Sequence, residues 1–337
     1  MKPALIQPQP AAFSCVIIWR LTFALLGLLV LGSCKNASGE ADVSEATLTE
    51  SPFLVVLGTV QDAGLPQLGC EKSCCSKYAG IKDPDKNVVS LGLVDAIAEQ
   101  SFLFEATPDI VRQLEIIKEY VPYPDFDLPG GVFLSHAHMG HYTGLMQLGR
   151  EARNTRNIPV YAMPKMAGFL KENGPWDQLV SLGNIELKGI QHQSVINLTH
   201  QLSVMPLLVP HRDEYSETVG FVISGPNKKA LFIPDIDKWQ HWEMDIVELI
   251  RKVDYAFLDA TFYDGNELNN RDMSEIPHPF VVESMNRFKR LPEEEKAKVY
   301  FIHFNHTNPL LDPLSTAYQK VRQAGYQIAE THQTFPM

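Results

Sequence analysis

Positive charge is scarce in this 337-residue sequence. There are 29 Lys and Arg residues against 40 Asp and Glu, so the net charge is −11 at pH 7 with histidine neutral. The basic residues form no long run. An acidic chain without such a run is poorly suited to binding nucleic acid, because the phosphate backbone repels it. We therefore expect no nucleic-acid partner.

The N-terminal region also lacks an apolar run of the roughly 20 residues that span a bilayer as a helix. Residues 21–31 are mostly apolar, follow Lys2 and Arg20, and lead into Gly32, Ser33 and Cys34. This pattern is typical of a signal peptide that ends in a bacterial lipoprotein box, with the lipid on Cys34. An ordinary signal peptide and an uncleaved anchor are the alternatives.

The rest of the chain is expected to form a tether and one domain. Residues 34–52 are small and polar, which is typical of a flexible tether. Residues 53–337 would form the folded domain. Without residues 1–33 the chain has 27 basic and 40 acidic residues, a net charge of −13. We expect an exported cell-envelope lipoprotein, on the periplasmic face or in the outer membrane, held to the membrane by its N-terminal lipid.

Neither a fixed-period repeat nor a low-complexity body is present, and 45% of the residues are hydrophobic. Short apolar segments with strand character come first, then alternate with helical patterns, and this succession occurs twice. We predict, for example, a strand over 53–57 and helices over 108–120 and 142–153. The pattern favours an α/β fold in which two sheets pack face to face with helices outside, a four-layer αββα sandwich.

Histidine, in contrast, is concentrated at one place. His136, His138 and His141 fall within six residues, directly after the apolar segment 132–134. Residues two apart in an extended segment project to the same side, and a turn could bring the third histidine close. Neutral imidazole is a leading ligand of zinc and related metals. The segment therefore predicts a metal site; three solvated loop histidines are the alternative.

The order of later residues extends this motif. A lone histidine at His211, an aspartate at Asp235 and a final histidine at His303 each follow a short apolar segment. With residues 136–141, this order resembles the metallo-β-lactamase-fold superfamily. Within it, residues 57–75, 104–109, 211–220 and 305–309 resemble the PQQ-biosynthesis protein B group, and the similarity spans about residues 53 to 315.

The resemblance implies a metallo-β-lactamase sandwich with a metal centre. One metal would be held by His136, His138 and His211, and Asp235 would bridge to a second held with His141 and His303. The implied metal is Zn²⁺, one or two ions, with Fe²⁺ as an alternative. Asp235 and His303 would also serve the catalytic step. Asp259, after another apolar segment, would orient a ligand histidine.

Several of these roles have alternatives. His211 could be a structural histidine, and Asp235 could cap a helix over 238–248. His306 could replace His303 as the last ligand.

Gly140 departs from the family pattern, which has an aspartate at this position as a ligand of the second metal. Glycine supplies neither ligand nor charge, so we expect the second site to be weak or completed by another residue. Asp62, Asp213 and His306 are the candidates. If the position is simply lacking a ligand, Gly140→Asp should add a bound metal.

The five cysteines include a cluster of three, Cys70, Cys74 and Cys75, which we call the cysteine cluster. Dense thiolates often bind structural zinc, and His278 could supply the fourth ligand. Relatives carry a three-cysteine knot here, although with different spacing. A disulfide from Cys70 to Cys74 or Cys75 is the alternative in an oxidising compartment.

Three functions are compatible with this sequence. The first is a metal-dependent hydrolase that uses a metal-activated water on a small ester, lactone, amide or phosphodiester. The second, implied by the resemblance to the PQQ-biosynthesis group, is an iron-dependent oxidative enzyme. The third is a surface lipoprotein that binds a metal or ligand without catalysis. Gly140 favours the last two, and the otherwise complete ligand set disfavours the third.

Overall fold

The computed structural model of the protein describes residues 52–337, apart from 79, 81, 82, 84, 122–127 and 269–271. The predicted signal peptide, Cys34 and the tether up to residue 51 lie outside the described residues. Within the described part, no helix is both long and apolar enough to cross a membrane.

The described residues build two sheets of seven strands each. The first contains β1 (Phe53–Gly58), β2 (Ser90–Asp95), β3 (Gln100–Phe104), β4 (Gly131–Phe133), β5 (Ile158–Ala162), β6 (Ile185–Gly189) and β14 (Thr334–Pro336). Their order is β14-β1-β2-β3-β4-β5-β6. Pairing is antiparallel from β14 to β3 and parallel from β3 to β6.

The second sheet repeats this scheme. It contains β7 (Ile196–Asn197), β8 (Ser203–Leu208), β9 (Val219–Ser224), β10 (Lys229–Ile233), β11 (Tyr255–Asp259), β12 (Val299–Ile302) and β13 (Gln327–Ile328). Their order is β13-β12-β11-β10-β9-β8-β7, antiparallel from β7 to β10 and parallel from β10 to β13. The change from hairpins to crossovers in each half matches the succession predicted from the sequence.

Helices cover the outer faces. The α-helices within the described residues are α1 (Ser73–Ser76), α2 (Ile110–Tyr120), α3 (Met139–Tyr142), α4 (Pro164–Glu172), α5 (Trp176–Ser181), α6 (Ile246–Arg251), α7 (Val281–Phe288), α8 (Glu293–Lys296) and α9 (Thr316–Gln323). The helix predicted over 142–153 is wrong, because α3 ends at Tyr142 and a 3₁₀ turn follows. The Gly144 N–H donates to Ala106 O at 2.8 Å, so the chain docks on a neighbouring loop.

Three layers of apolar side chains hold the sandwich together. The inner layer lies between the sheets and contains stacked and edge-on rings, with Phe104 and Phe133 at 4.9 Å and Phe104 and Phe221 at 5.4 Å between ring centroids. The other two layers lie between each sheet and its helices. Each fully buried Phe contributes about 1.5–3 kcal/mol relative to an exposed one. The predicted αββα sandwich is confirmed.

The strand directions gather polar residues at one end of the sandwich. The strands β10, β11 and β12 run parallel, so the residues at or just after their carboxyl ends meet at one edge: Asp235, Asp259 and His303. The segment after β4 in the other sheet brings the three clustered histidines to the same edge. Open α/β sheets place their ligand sites at this kind of position.

Candidate metal centre

Three sets of potential metal ligands among the described residues share the carboxylate of Asp235, and two of them contain four residues each. In each set the ligand atoms all lie within 4.8 Å of one another. The first set is His136, His138, His211 and Asp235, and the second is Asp62, His141, Asp235 and His303. We call these seven residues the histidine centre. The structure thus brings together every histidine that the resemblance assigned to the centre and adds Asp62.

Asp235 lies at the middle of the histidine centre and is 2% exposed. Its Oδ2 is 3.4 Å from His136 Nε2 and 3.5 Å from His141 Nε2, and its Oδ1 is 3.4 Å from His211 Nε2. Burial raises the pKa of this carboxyl, but the surrounding imidazoles outweigh burial and hold the pKa well below its usual range. Asp235 is therefore an anion placed between the two sets.

The alternative role for Asp235, a helix cap, is wrong. A short 3₁₀ turn occupies Trp239–His241, and the first α-helix after it is α6. The cap of α6 is Asp245, whose side chain accepts a hydrogen bond from Val247 N at 2.9 Å. Asp235 is left free to face the histidines.

His136 and His138 are ready to bind a metal near neutral pH. Their rings approach closely, with His136 Nε2 and His138 Nδ1 2.8 Å apart. Burial, with His141 nearby, holds the pKa of His136 well below its usual range. Burial likewise lowers the pKa of His138 to about 4. Both imidazoles are therefore neutral at pH 7, the form in which histidine binds a metal.

Other carboxylates orient the ligand rings. Asp237 Oδ1 lies 3.1 Å from His211 Nδ1 and fixes the ring whose Nε2 faces Asp235. Glu105, directly after β3 and fully buried, has its Oε2 3.6 Å from His141 Nδ1. The Asp237 carboxylate is an outer partner of the kind that sets the tautomer of a ligand histidine, whereas Glu105 lies beyond hydrogen-bond distance of His141. Glu105 has the left-handed φ of +75°, which non-glycine residues adopt at some cost.

His303 is the strand-end histidine that enters the centre. It also has a left-handed φ, +70°, and its Nδ1 contacts Thr261 Oγ1 at 2.8 Å. Its Nε2 lies 3.7 Å from Asp235 Oδ2. Asp259, at the end of β11, accepts from Thr261 Oγ1 at 2.7 Å and so supports the ring of His303 indirectly. This arrangement agrees with the orienting role expected for Asp259.

Asp62 fills the position of the missing family aspartate. A Cβ atom built on Gly140 would lie 1.8 Å from Asp62 Cβ and 2.3 Å from its Cα. Asp62 Oδ1 is 3.6 Å from His303 Nε2 and accepts a short hydrogen bond from the Gln61 side chain. Burial raises the pKa of Asp62, but His303 and His141 outweigh it, so the pKa falls below its usual value.

Glycine at position 140 is therefore required by the approach of Asp62. Of the other two candidates for this role, Asp213 binds Thr218 Oγ1 at 3.1 Å and His306 joins the cysteine cluster. Gly140→Asp is therefore a poor test of the second site, because Asp62 occupies the space that the new side chain needs.

His278 was expected at the cysteine cluster, but the structure places it beside the histidine centre, in a set with Asp235 and Asp259. Its Nδ1 lies 2.9 Å from Asp259 Oδ2 and 3.0 Å from Asp235 Oδ1. Its side chain is 15% exposed. This position was hard to predict, because His278 stands between two prolines and does not follow a strand directly.

The cysteine cluster takes His306 as its fourth residue. The ligand atoms of Cys70, Cys74, Cys75 and His306 lie within 4.8 Å of one another, and we call these four residues the thiol site. All three cysteines are free thiols, with Cys70 Sγ and Cys74 Sγ 3.8 Å apart. His306 rather than His278 joins the thiols because of the chain path after β12. This segment brings His303 to the histidine centre and His306 to the thiols.

The donors of the histidine centre fit a metal ion. Among the described residues, several buried side-chain atoms at this place have no hydrogen-bond partner: His141 Nδ1 and Nε2, His211 Nε2, His303 Nε2 and Asp235 Oδ1. Leaving one such group unpaired costs about 1–3 kcal/mol. A concentration of unpaired nitrogens around one carboxylate is what a metal-binding centre requires, so these residues could hold a metal ion.

A cavity of about 920 Å³ opens beside the centre. His278 and Arg212 line it on the side of the histidine centre, and Cys70 and His306 line it on the side of the thiol site. Apolar residues such as Phe262 and Ile276 complete the wall. Its volume is within the range of small-molecule sites.

Comparison with known proteins agrees with this fold. The family described as "Beta-lactamase superfamily domain" matches residues 100–304, more than half of the chain. Coenzyme PQQ synthesis protein B of Methylococcus capsulatus is 26% identical over 306 residues, covering 81% of this chain and 96% of that protein.

Two solved structures share the architecture. Zn²⁺-bound PqqB from Methylobacterium extorquens superimposes with a TM-score of 0.70 at 21% identity, over 85% of this chain and all of that chain. A diphosphatase from the PhnP family gives 0.57 at 21% identity, over 84% and 96% of the two chains. The chain therefore belongs to the β-lactamase superfamily, has its metallo-β-lactamase fold and is similar to the PQQ synthesis B proteins.

Proposed function

We propose that the protein is a metal-dependent hydrolase of a small ester, lactone, amide or phosphodiester. The observation that carries this proposal is the pair of ligand sets sharing Asp235 beside the cavity. A metal held there would supply Lewis-acid activation of a water and of the bond to be broken. Superfamily membership and the PhnP-family neighbour support hydrolysis as the reaction class.

The chain's own residues would bind and orient the reactants. Oxygen of water joins the acyl carbon or the phosphorus, the bond to the leaving group breaks, and the leaving atom takes up a proton. His278 is placed to deliver that proton, because Asp259 holds its Nδ1 and the residue lines the cavity. Arg212, also at the cavity wall, would contact the polar part of the substrate.

The composition of the wall indicates the type of substrate. The cavity wall contains apolar residues, such as Phe262, Leu268 and Ile276, and charged residues, such as Lys72 and Glu71. A small organic molecule with both an apolar body and a polar reacting group would fit. A macromolecular substrate is not needed to explain the site.

The similarity to PQQ synthesis B proteins supports a second candidate, oxidative chemistry with Fe²⁺. Histidine and carboxylate donors with an open position suit Fe²⁺ as well as Zn²⁺. The match covers nearly the whole length of the Methylococcus capsulatus protein. This candidate predicts consumption of O₂ rather than metal-dependent hydrolysis.

The test is reconstitution of the mature chain after metal removal. Zn²⁺, Mn²⁺ and Fe²⁺ would be added separately, and chromogenic esters, lactones, amides and phosphodiesters assayed, with O₂ uptake followed in parallel. Hydrolysis that requires added metal and is lost in His138→Ala would support the hydrolase. Asp213→Asn, next to the centre but outside both sets, is the matched control and should keep activity. Uptake of O₂ only with Fe²⁺, without hydrolysis, would favour the second candidate.

A further inference from the structure

We propose that metal bound at the thiol site organises the Asp62 set of the histidine centre, so that the two sites fill cooperatively. This inference rests on the metal-binding function proposed above. Three thiols and one imidazole suit Zn²⁺ or another thiophilic divalent cation. The coupling follows from the chain path, because two separate segments each contribute ligands to both sites.

The first shared segment is the loop of residues 61–75. It carries Asp62 at its start and the cysteine cluster at its end. Between them the backbone has turns and bends without strand or helix until α1, and Leu68 is fully exposed. Leu65 is partly buried against the second sheet's outer core. Such a loop has little apolar packing with which to fix its own conformation.

The second shared segment is residues 303–306, directly after β12. His303 belongs to the histidine centre and His306 to the thiol site, only three residues later. At its start the loop is aligned with this segment, because Gln61 N donates to Phe304 O and Phe304 N donates to Thr59 O, both at 2.8 Å. At its far end, the loop meets the same segment again through His306 and the thiols.

The contacts within the loop are few, so the conformation of its far end depends on the thiol site. Gly64 N and Cys70 N donate to carbonyls within the loop, and Gln67 N donates to Cys75 Sγ at 3.4 Å. A metal shared by the cysteine cluster and His306 would close the loop onto the segment after β12. Closing a flexible loop removes conformations in which Asp62 lies away from His303, so the second set is formed before its metal arrives.

Cooperativity of this kind is reciprocal. If the thiol-site metal raises the affinity of the Asp62 set, a metal in the Asp62 set must raise the affinity of the thiol site by the same factor. We expect a factor of about 10–100, the range by which outer-shell changes alter metal affinity. The set of His136, His138 and His211 should respond less, because none of these three residues lies in the loop or in the segment after β12.

Cobalt titration of the metal-free mature chain would measure both sites separately. Thiolate-to-cobalt charge-transfer absorption reports the thiol site, and the weaker visible bands with elemental analysis report the histidine centre. Cys74→Ser, at a half-buried position, removes one of the three thiolates, so it should weaken the charge-transfer band and lower the metal affinity of the Asp62 set by about 10–100-fold. Ser73→Ala, on the same helical turn and exposed, is the matched control and should change neither.

Unchanged affinity of the Asp62 set in Cys74→Ser, within about twofold of the wild type, would overturn the proposal. If that variant fails to fold by circular dichroism, His306→Asn removes a ligand from the opposite segment and must give the same result. The reciprocal measurement uses Asp62→Asn, in which thiol-site affinity should fall; an unchanged value would also contradict coupling. Because every readout is metal binding, a protein that binds metal but hydrolyses nothing would fail the proposed function without affecting this test.

Discussion

Single side chains decide whether the histidine centre has one complete ligand set or two. Asp62, which comes from the loop after β1, takes the place of a carboxylate that the histidine motif lacks at Gly140. Comparison with the family motif shows that the aspartate at position 140 is missing. It does not show which residue supplies the carboxylate instead. The choice depends on a steric contact between residues 78 positions apart, which only the fold reveals.

Asp62→Asn should remove the second metal. The amide keeps the shape of the carboxylate but not its charge, and the set would lose an anionic ligand facing His303. We expect affinity at this set to fall by more than the 10–100-fold typical of outer-shell changes, with the His136 set retained. Metal content by elemental analysis, together with a competitive chelator titration, would measure it. Asp213→Asn should bind metal like the wild type, and equal metal loss in both variants would contradict the assignment.

Glu267 gives the fold a pH dependence separate from the histidine centre. Burial raises the pKa of its carboxyl to about 7 from 4.5, although it accepts hydrogen bonds from Tyr263 N and Thr307 Oγ1. The folded state therefore holds a proton that the unfolded state releases. This stabilisation is complete below pH 4.5 and is lost as the pH rises through 7.

Glu267→Gln should remove that dependence. At about 1.4 kcal/mol per pKa unit, the wild type loses on the order of 3 kcal/mol of unfolding free energy between pH 4.5 and 8. We expect the variant to melt above the wild type at pH 8 and close to it at pH 5. Thermal unfolding followed by circular dichroism at several pH values would show this, with exposed Glu294→Gln as control. The effect would be disproved if the difference in melting temperature between the wild type and Glu267→Gln were the same at every pH.

At the scale of elements, the ends of strands position the centre. The strands β10, β11 and β12 are parallel neighbours, and the site residues lie at or just after their carboxyl ends: Asp235, Asp259 and His303. Their common location was therefore predictable from the order of apolar segments and polar residues. Glu105 follows β3 in the same way, and the same rule could have identified it. His278 was assigned to the wrong site because it lies on a loop, where sequence position does not determine spatial neighbours.

The short helix α3 is limited by its contact with the Asp62 loop. Gly140→Ala should push Asp62 out of the centre, because the added Cβ would overlap Asp62 Cβ and Cα. Overpacking of this kind costs about 1–3 kcal/mol, and the second metal should be lost as well. Thermal unfolding and metal content would be measured together. Gly168→Ala on α4 has open space around the new Cβ and should be neutral or stabilising by up to about 1 kcal/mol.

For the whole molecule, the αββα sandwich was predicted from the alternation of apolar segments. The pattern was informative because buried strands and amphipathic helices differ in hydrophobic period. The helix over 142–153 was mispredicted because tertiary docking of Gly144 on Ala106 outweighed local helical preference. Helical hydrogen bonds compete with such contacts, and a single sequence does not show which will form.

The proposed envelope location can be tested on the full chain. Cys34→Ser should abolish lipid attachment and move the protein from the membrane fraction to the soluble fraction, because the thiol that would carry the lipid is removed. Fractionation and metabolic labelling with a fatty acid would measure this. The neighbouring Ser33→Ala is the matched control, because it preserves the modified cysteine. Equal membrane association of Cys34→Ser and wild type would contradict the lipoprotein proposal.

The direction of β1 separates the start of the described domain from the histidine centre. The described chain enters this strand from Pro52, whose carbonyl accepts from Met337 N, and reaches Asp62 only after crossing the sheet. Six strand residues advance about 20 Å, so Pro52 and Asp62 lie at opposite ends of the strand. A fluorescent label attached beside Pro52 would therefore be far from the metal ligands and would leave the cavity open to substrates.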